Sequence, residues 1–184
     1  MIIMKNLFSY KLFIGKLKYV YLNYLTCSMV VLGIIIFSTE IQANQDQEMG
    51  CLMEAIYFEA RSENLTGKLA VGQVILNRVR EKRYPNTICG VVHDGKYWEG
   101  NPVKYRCAFT YWCDGKPERY GNLRALDEVQ KVVIMLLAGV RILDFDYVTH
   151  YHASYVEPYW SRSEDFIYIA QIGKHLFYET LYDY

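Results

Sequence analysis

Apolar residues recur at helical spacing in three segments of the chain, and each of these segments predicts a helix. The first runs from about residue 48 to 64, the second from 66 to 82 with Thr66 as its N-cap, and the third from 123 to 141. An apolar stripe on a helix has to be covered, so we expect the three helices to share one core. The stripes consist of Leu52, Met53, Ile56 and Ala60, then Ala70, Val71, Val74, Ile75 and Val79, and then Leu126, Val129, Val133, Leu136, Leu137 and Val140.

The remaining segments are less regular. Residues 93–121 mix Gly and Pro with aromatic and charged residues, which predicts a long irregular stretch that is nevertheless ordered, because disordered segments are poor in aromatics. Residues 145–155, "FDYVTHYHASY", alternate and are rich in β-formers, so they predict a strand. A last helix is predicted from near Ser163 to Phe177. The expected fold class is α+β, mostly helical with a small β component.

The N-terminal region has the pattern of an export signal. Basic residues precede an apolar stretch at residues 20–37, and the small residue Ala43 follows it. The apolar stretch is also nearly long enough to span a membrane. We therefore expect residues 1–43 to be a signal peptide or a signal anchor, residues 20–37 to tether the chain to a membrane if the signal is uncleaved, and residues 44–184 to form the exported domain.

The charge of the chain gives no support for a nucleic-acid partner. Its formal net charge at pH 7 is zero, and it contains no run of basic residues. Nucleic-acid binding depends on Lys and Arg that neutralise phosphates, so this class of function is not expected.

The cysteine content favours disulfides. Five cysteines are present, and the one at position 27 lies in the apolar N-terminal stretch, which leaves Cys51, Cys89, Cys107 and Cys113. An even number of cysteines in an exported domain favours bridges, and the spacing leaves all three pairings open. Zinc is the weaker alternative, because the sequence lacks a CxxC pair.

Glu59, in the segment "AIYFEARSE", lies on the apolar stripe of the first predicted helix, close to Leu52 and Ile56. Burial would raise the pKa of this carboxyl, which is how an acid is kept protonated for proton donation. The alternatives are an ion pair with a nearby Arg such as Arg61 or Arg78, or a position at the rim of the apolar stripe. Glu54 is expected to face another side of the helix.

His150 and His152 alternate on the predicted strand and so share a face, a spacing that metal sites also use. An aromatic-rich surface is the favoured explanation of the two histidines, because the sequence contains no HExxH motif. Several aromatic residues occur close to polar groups, an arrangement that suits stacking on sugar rings. They include Tyr111, Trp112, Tyr151, Tyr155, Tyr159 and Trp160.

Five blocks of sequence resemble the SleB-type cell wall hydrolase family, the catalytic domain of spore cortex-lytic enzymes and their bacterial relatives. In chain order they are "EAIYFEARSE", "GKLAVGQVILNRV", "RYPNTICGVV", "CAFTYWCDG" and "THYHASYVEPYW…IGKHLFY", and together they span about residues 51–178. The resemblance implies a lysozyme-like α+β fold and cleavage of peptidoglycan between N-acetylmuramic acid and N-acetylglucosamine. It also implies that Glu59 is the catalytic acid.

The resemblance further implies the chemistry of a lytic transglycosylase, in which the C6 hydroxyl of the substrate replaces water and no metal or cofactor takes part. Glu63 would orient substrate or support the helix end, and Asp114 is the best candidate for a second carboxylate if the enzyme hydrolyses instead. The expected substrate contacts are Glu63, Trp112, Asp114, Tyr151, His152 and Tyr155. The expected partner is the glycan strand of peptidoglycan, and the expected location is the periplasm or cell envelope.

Two alternatives belong to other classes of function. The first is a zinc-dependent peptidoglycan peptidase or amidase that uses His150 and His152. The second is a non-catalytic glycan-binding module that keeps the aromatic groove.

Overall fold

A computed structural model describes residues 39–181 of the chain. By its internal contacts the chain divides into two units, residues 1–45 and residues 46–184. In the first unit, the described residues 39–45 are helical and exposed. The predicted signal at 1–43 lies largely outside the described residues, and the apolar stretch at 20–37 lies wholly outside them. Within residues 39–181, no helix is both long enough and apolar enough to span a membrane.

The second unit is built from four α-helices and five strands within its described part. Helix α1 covers residues 46–60, and it is followed by α2 (Leu65–Arg80), α3 (Ile88–Val92) and α4 (Leu123–Leu137). The strands are β1 (Gly95–Trp98), β2 (Asn101–Cys107), β3 (Val148–Ala153), β4 (Phe166–Ile172) and β5 (His175–Thr180). Two short 3₁₀ helices cover Thr110–Cys113 and Tyr159–Arg162. The α+β class is therefore confirmed, with more strand than the sequence indicated.

The three long helices were predicted correctly, but their ends differ from the prediction. Helix α1 stops at residue 60, so Glu63 belongs to the turn before α2 rather than to the helix. The N-cap of α2 is Asn64, whose side chain accepts a hydrogen bond from the Gly67 backbone N–H, and not Thr66. Helix α4 ends at Leu137, four residues before the predicted end.

The core forms where α1, α2 and α4 meet. Gly72 of α2 lies at the closest approach, since a Cβ atom there would come within 2.3 Å of Leu136 and 2.8 Å of Ile56. A side chain at this position would force the ends of the Leu136 and Ile56 side chains to move, so glycine fits here without repacking. The fully buried side chains around this crossing include Leu52, Tyr57, Val71, Val74, Ile75, Phe109, Phe145 and Phe177.

The predicted last helix is wrong: residues 166–180 form the β4–β5 hairpin. Strands β3, β5 and β4 make one antiparallel sheet in that order. A register shift between Tyr168 and Ala170 interrupts the alternation of β4, so its apolar residues imitate a helical spacing. Gly173, with φ +58°, makes the turn between the two strands.

The stretch at 93–121 contains a hairpin that was not predicted. β1 and β2 pair antiparallel, and Trp98 opposite Asn101 leaves Glu99 and Gly100 as a two-residue turn. Both turn residues have positive φ, 49° and 80°, as a tight hairpin turn requires. Glutamate is an unusual residue at the first of these positions, which explains why the sequence did not reveal the turn.

Two disulfides are present, Cys51–Cys89 and Cys107–Cys113. The first joins α1 to α3. The second closes the end of β2 onto the first 3₁₀ helix, within the stretch that the sequence left irregular.

Candidate active site

Glu59 lies in the last turn of α1, on the border between the buried face of the helix and its exposed side. Its Oε2 accepts a hydrogen bond of 3.2 Å from Tyr151 Oη, which comes from β3. Burial raises the pKa of Glu59, and the Tyr151 hydrogen bond and the charge of Arg78 oppose part of that rise. The net effect favours the protonated acid, as the position of Glu59 on the apolar stripe predicted.

Arg78 of α2 acts on Glu59 through its charge and is held in place by other contacts. Its Nε donates to the Thr149 carbonyl at 2.8 Å, and its guanidinium lies over the rings of Tyr84 and Phe109. The expected alternative, in which Glu59 forms an ion pair with Arg61 or Arg78, does not occur among the described ion pairs, and Arg61 lies instead over the ring of Tyr57.

Tyr151 and Tyr111 bring phenol groups close to Glu59 from two further elements. Burial and then the charge of Glu59 raise the pKa of Tyr151 well above its usual range. For Tyr111, which lies in the first 3₁₀ helix, burial and then the charges of Glu54 and Glu59 raise the pKa. Both phenols therefore stay protonated and are able to donate hydrogen bonds near Glu59.

Trp112 stacks on His93, with ring centroids 3.7 Å apart and an interplanar angle of 23°. Its Nε1 donates to Tyr97 Oη at 3.0 Å, and Tyr97 Oη donates in turn to the His93 carbonyl. These contacts fix the indole beside the end of α3, with part of its surface exposed. Next to this pair, Phe58 stacks on Tyr111 at 4.8 Å.

Glu63 is buried, with 8% of its surface exposed, and its carboxylate contacts the β4–β5 turn. The Lys174 backbone N–H donates to Oε2 at 3.2 Å. Gly173 and Gly67 both pack so closely on the Glu63 side chain that a Cβ on either would clash with it. Of the two predicted roles for Glu63, these contacts match support of the fold around the helix end.

Asp114 and His152 are also engaged by neighbouring groups. The Asp114 carboxylate accepts a hydrogen bond from the Lys116 backbone N–H at 2.7 Å, which lowers its pKa. His152 is buried and within hydrogen-bond distance of Tyr178 Oη through Nε2 and of the Ala153 carbonyl through Nδ1. Tyr155, by contrast, is 82% exposed just beyond β3. The assignment of these residues to substrate binding stays a prediction.

The zinc alternative lacks a ligand set in the described part of the chain, where no three His, Cys, Asp or Glu side chains are grouped to hold a metal ion. His150 Nδ1 lies 3.0 Å from Thr149 Oγ1, and its ring packs against Phe166.

Glu54 and His93 were not recognised from the sequence as members of the site, and Tyr111 was named only among the aromatic residues that suit stacking on sugar rings. They come from α1, the C-cap of α3 and the first 3₁₀ helix. The proximity of the three depends on how these elements pack, which a sequence pattern does not reveal.

Comparison with known proteins gives one family match. The model of the cell wall hydrolase family matches residues 62–178, and it therefore begins three residues after Glu59. The spore cortex-lytic enzyme of Bacillus subtilis is 28% identical over 134 residues, which are 73% of this chain and 38% of that protein. The spore cortex-lytic enzyme of Oceanobacillus iheyensis is 27% identical over 136 residues, with 74% and 43% covered. The chain thus spans less than half the length of these relatives.

Two solved structures share the fold. The catalytic domain of the germination-specific lytic transglycosylase SleB from Bacillus anthracis matches with a TM-score of 0.52 and 28% identity, covering 71% of this chain and 92% of that one. The catalytic domain of the Bacillus cereus SleB protein matches with a TM-score of 0.53 and 26% identity, covering 72% and 89%. These likenesses confirm the expected fold class.

Proposed function

The chain belongs to the cell wall hydrolase family, and we propose that it cleaves the glycan strands of peptidoglycan as a lytic transglycosylase with Glu59 as its catalytic acid. The bond cleaved is the one between N-acetylmuramic acid and N-acetylglucosamine. The observation that carries the proposal is the burial of Glu59, which raises the pKa of its carboxyl, in contact with a phenol donor. The solved structures that share the fold include a lytic transglycosylase domain, which supports the same reaction.

In the first step, Glu59 gives its proton to the glycosidic oxygen as the bond to C1 of the muramic acid breaks. A carboxyl in water is ionised at neutral pH and has no proton to give, so the raised pKa is what makes this step available. Tyr151 holds one carboxyl oxygen by donating to Oε2 and so fixes the orientation of the acid.

In the second step, the Glu59 carboxylate takes the proton of the C6 hydroxyl while that oxygen attacks C1 of the same sugar. The product is a 1,6-anhydro ring, and Glu59 regains its proton, so atoms and charges balance without water. A separate catalytic base is not required by this route, whereas a hydrolytic glycosidase uses two carboxylates.

The sugar rings next to the cleaved bond are assigned to the aromatic side chains around Glu59. Trp112 and Tyr151 would stack on them, Tyr155 would contact the strand further out, and Asp114 and His152 would serve as outer polar contacts. Glu63 would act indirectly, by holding the turn that follows α1.

Peptidoglycan lies outside the cytoplasmic membrane, so the enzyme has to act outside the cytoplasm. Export through the signal at residues 1–43 and residence in the periplasm or cell envelope complete the proposal. The two disulfides are consistent with an oxidising compartment.

Mass spectrometry of the soluble products released from purified sacculi tests the proposal. We expect muropeptides that carry the anhydro ring, each lighter by one water than its hydrolytic counterpart. Products with a free reducing end would mean a muramidase. Chelator-sensitive release of peptides would mean a metallopeptidase, and wall binding without soluble fragments would mean a non-catalytic module.

A further inference from the structure

Strand β3 carries one extra residue just before it reaches Glu59. Val148 and His150, two residues apart in β3, lie opposite neighbouring residues of β5, so Thr149 is an extra residue in the register. Such a β-bulge bends the strand and changes the direction in which the following side chains point. The bulge at Thr149 lies two residues before Tyr151, whose hydroxyl donates to Glu59.

The bulge decides on which face of the sheet Tyr151 lies. Val148 belongs to the buried core and Tyr151 packs against the same core, although the two are three residues apart. In a regular strand, residues three apart point to opposite faces of the sheet. Without the extra residue, the side chain of Tyr151 would therefore point away from the core and from Glu59.

Two consecutive residues in the last turn of α2 bind the backbone carbonyls of the bulge. Asn77 Nδ2 donates to the carbonyls of Phe145 and Val148, both at 2.8 Å. Arg78 Nε donates to the carbonyl of Thr149, also at 2.8 Å. A bulge disrupts the ladder of a sheet locally, so its buried carbonyls need donors from elsewhere. The Asn77–Arg78 pair supplies these donors and holds the bulge in place.

The donors of this pair are themselves fixed by other contacts. Asn77 is buried, and its Oδ1 accepts a hydrogen bond of 2.6 Å from Arg80, which turns the amide nitrogen towards β3. The guanidinium of Arg78 lies over the rings of Tyr84 and Phe109. Neither donor can turn away from the bulge without losing these contacts.

From these contacts we infer that Asn77 and Arg78 are positioning residues for the proposed reaction. By holding the bulge at Thr149, they keep the hydroxyl of Tyr151 on the carboxyl of Glu59. The inference rests on the proposed function and deepens it, because it states which part of the fold orients the catalytic acid. The two residues of α2 act through Tyr151, and the shape of the strand carries their effect.

Asn77→Ala tests the inference, since Asn77 carries no charge that could act on Glu59 directly. The groups that face Glu59 are Tyr151 from β3, Arg78 from α2 and Tyr111 from the first 3₁₀ helix. The titration of the Glu59 carboxyl is followed by ¹³C NMR, and turnover is measured on sacculi. The Tyr151 hydrogen bond lowers the pKa of Glu59, so Asn77→Ala should raise this pKa and reduce turnover by about twofold to fivefold.

The same substitution in a Tyr151→Phe background shows whether the effect passes through Tyr151. Here Asn77→Ala should reduce turnover by less than a further factor of about 1.5 and should leave the pKa of Glu59 where Tyr151→Phe puts it, because both changes remove one and the same contact. Losses of turnover that multiply would overturn the inference.

Gln73→Ala is the matched control. Gln73 is fully buried one turn earlier in α2, and its amide also bonds to backbone, at Ile142 ahead of β3. This variant should lower the melting temperature much as Asn77→Ala does, but it should leave the Glu59 titration and the turnover per folded molecule unchanged. If both variants change the titration and the turnover equally, the role of Asn77 is structural only.

Arg78→Met is the second variant and replaces Asn77→Ala if that protein does not fold. It removes the donor to the Thr149 carbonyl together with a positive charge, and both losses raise the pKa of Glu59. The rise should be smaller in the Tyr151→Phe background, where only the loss of charge acts, and equal rises would overturn the inference. Cleavage by the wild type with an unshifted Glu59 titration in the variants would reject the positioning role alone. The expected shifts without any cleavage by the wild type would reject the proposed reaction alone.

Discussion

Glu59 and Glu63 are four residues apart and both lie largely away from solvent, but different groups hold their carboxyls. Glu63 is held by the Lys174 backbone N–H and packed between Gly67 and Gly173, so its carboxylate is part of the fold. Glu59 accepts a side-chain hydrogen bond from Tyr151, and burial raises its pKa. The difference teaches that burial alone does not mark a catalytic acid. In the proposed mechanism, the catalytic acid is the carboxyl that a side-chain phenol holds, and the carboxyl that a main-chain N–H holds is structural.

The largest expected effect comes from Glu59→Gln. This variant keeps shape and hydrogen bonding but has no proton to donate, so release of fragments from sacculi should fall by about 10² to 10⁴-fold. Glu63→Gln is the matched comparison and should lose much less activity per folded molecule. Near-normal turnover by Glu59→Gln would remove the basis of the proposed mechanism.

The same variant tests the pKa of Glu59 through stability. A raised pKa in the folded state gives a contribution that is fully present below the unfolded-state pKa and is lost as pH rises through the folded-state pKa. Glu59→Gln has no group that titrates at this position and so does not lose this contribution. Its free energy of unfolding, measured with denaturant, should equal that of the wild type in acid and exceed it at neutral pH.

Gly173→Ala tests whether the packing around Glu63 stabilises the fold. Its Cβ would lie 1.7 Å from Glu63 Oε2, and φ there is +58°. The clash and the left-handed backbone together should lower the free energy of unfolding by about 2 to 4 kcal/mol. Gly139→Ala is the control, since φ is +93° with nothing within 4 Å, and it should cost about 1 to 2 kcal/mol. Equal losses would mean that the packing on Glu63 contributes nothing.

Trp112→Ala tests the candidate site around Glu59 by removing a surface on which a sugar ring could stack. We expect glycan binding about tenfold weaker, measured by calorimetry, with a small change in melting temperature. Trp98→Ala, on the β1–β2 hairpin where this residue is 73% exposed, should change binding little. If Trp112→Ala lowers the melting temperature as strongly as it lowers binding, Trp112 is a packing residue.

Tyr151→Phe should reduce turnover by about threefold to fivefold, because Glu59 loses the donor that orients it. That hydrogen bond also lowers the pKa of Glu59, so its loss raises the pKa further. The alkaline limb of the pH profile should move to higher pH. A profile that stays in place would show that Tyr151 does not act on the acid.

Asp114→Asn is expected to have the smallest effect, less than about twofold in turnover. Its carboxylate contacts Lys116 at the surface, and the proposed route needs no second carboxylate. Turnover is measured on the same sacculi as for Glu59→Gln. An equally large loss would mean that the enzyme hydrolyses the bond with two carboxylates.

Much of the fold follows from sequence where the apolar period is strong. Helices α1, α2 and α4 were predicted because their stripes repeat over several turns. The β4–β5 hairpin was missed because the register shift in β4 disturbs its alternation, and the last predicted helix was placed there instead. The end of α1 was placed too late, since the turn at residues 61–64 carries no proline and still includes the buried Glu63.

Only part of the candidate site could be predicted from the sequence. Glu59 is an acid on an apolar stripe, which a single helix reveals. The proximity of Tyr151 and Tyr111 to Glu59 depends on a strand about 90 residues further along the chain and on a 3₁₀ helix about 50 residues further along. Glu54 was expected to face away from Glu59, and the fact that the charges of both carboxylates act on Tyr111 is a property of the packed structure.

The Cys51–Cys89 bridge makes the stability of the folded chain depend on the oxidation of two thiols. The bridge closes a sequence separation of 38 residues, and the loss of unfolded-chain entropy stabilises the folded state by about 4 kcal/mol in the simplest model. The total free energy of unfolding of a small domain is only about 5 to 15 kcal/mol. A chain with reduced thiols, as it leaves the ribosome, is therefore much nearer to unfolding than the oxidised chain. Under the proposed function, oxidation of these two thiols outside the compartment in which the chain is made would set when the enzyme becomes stable.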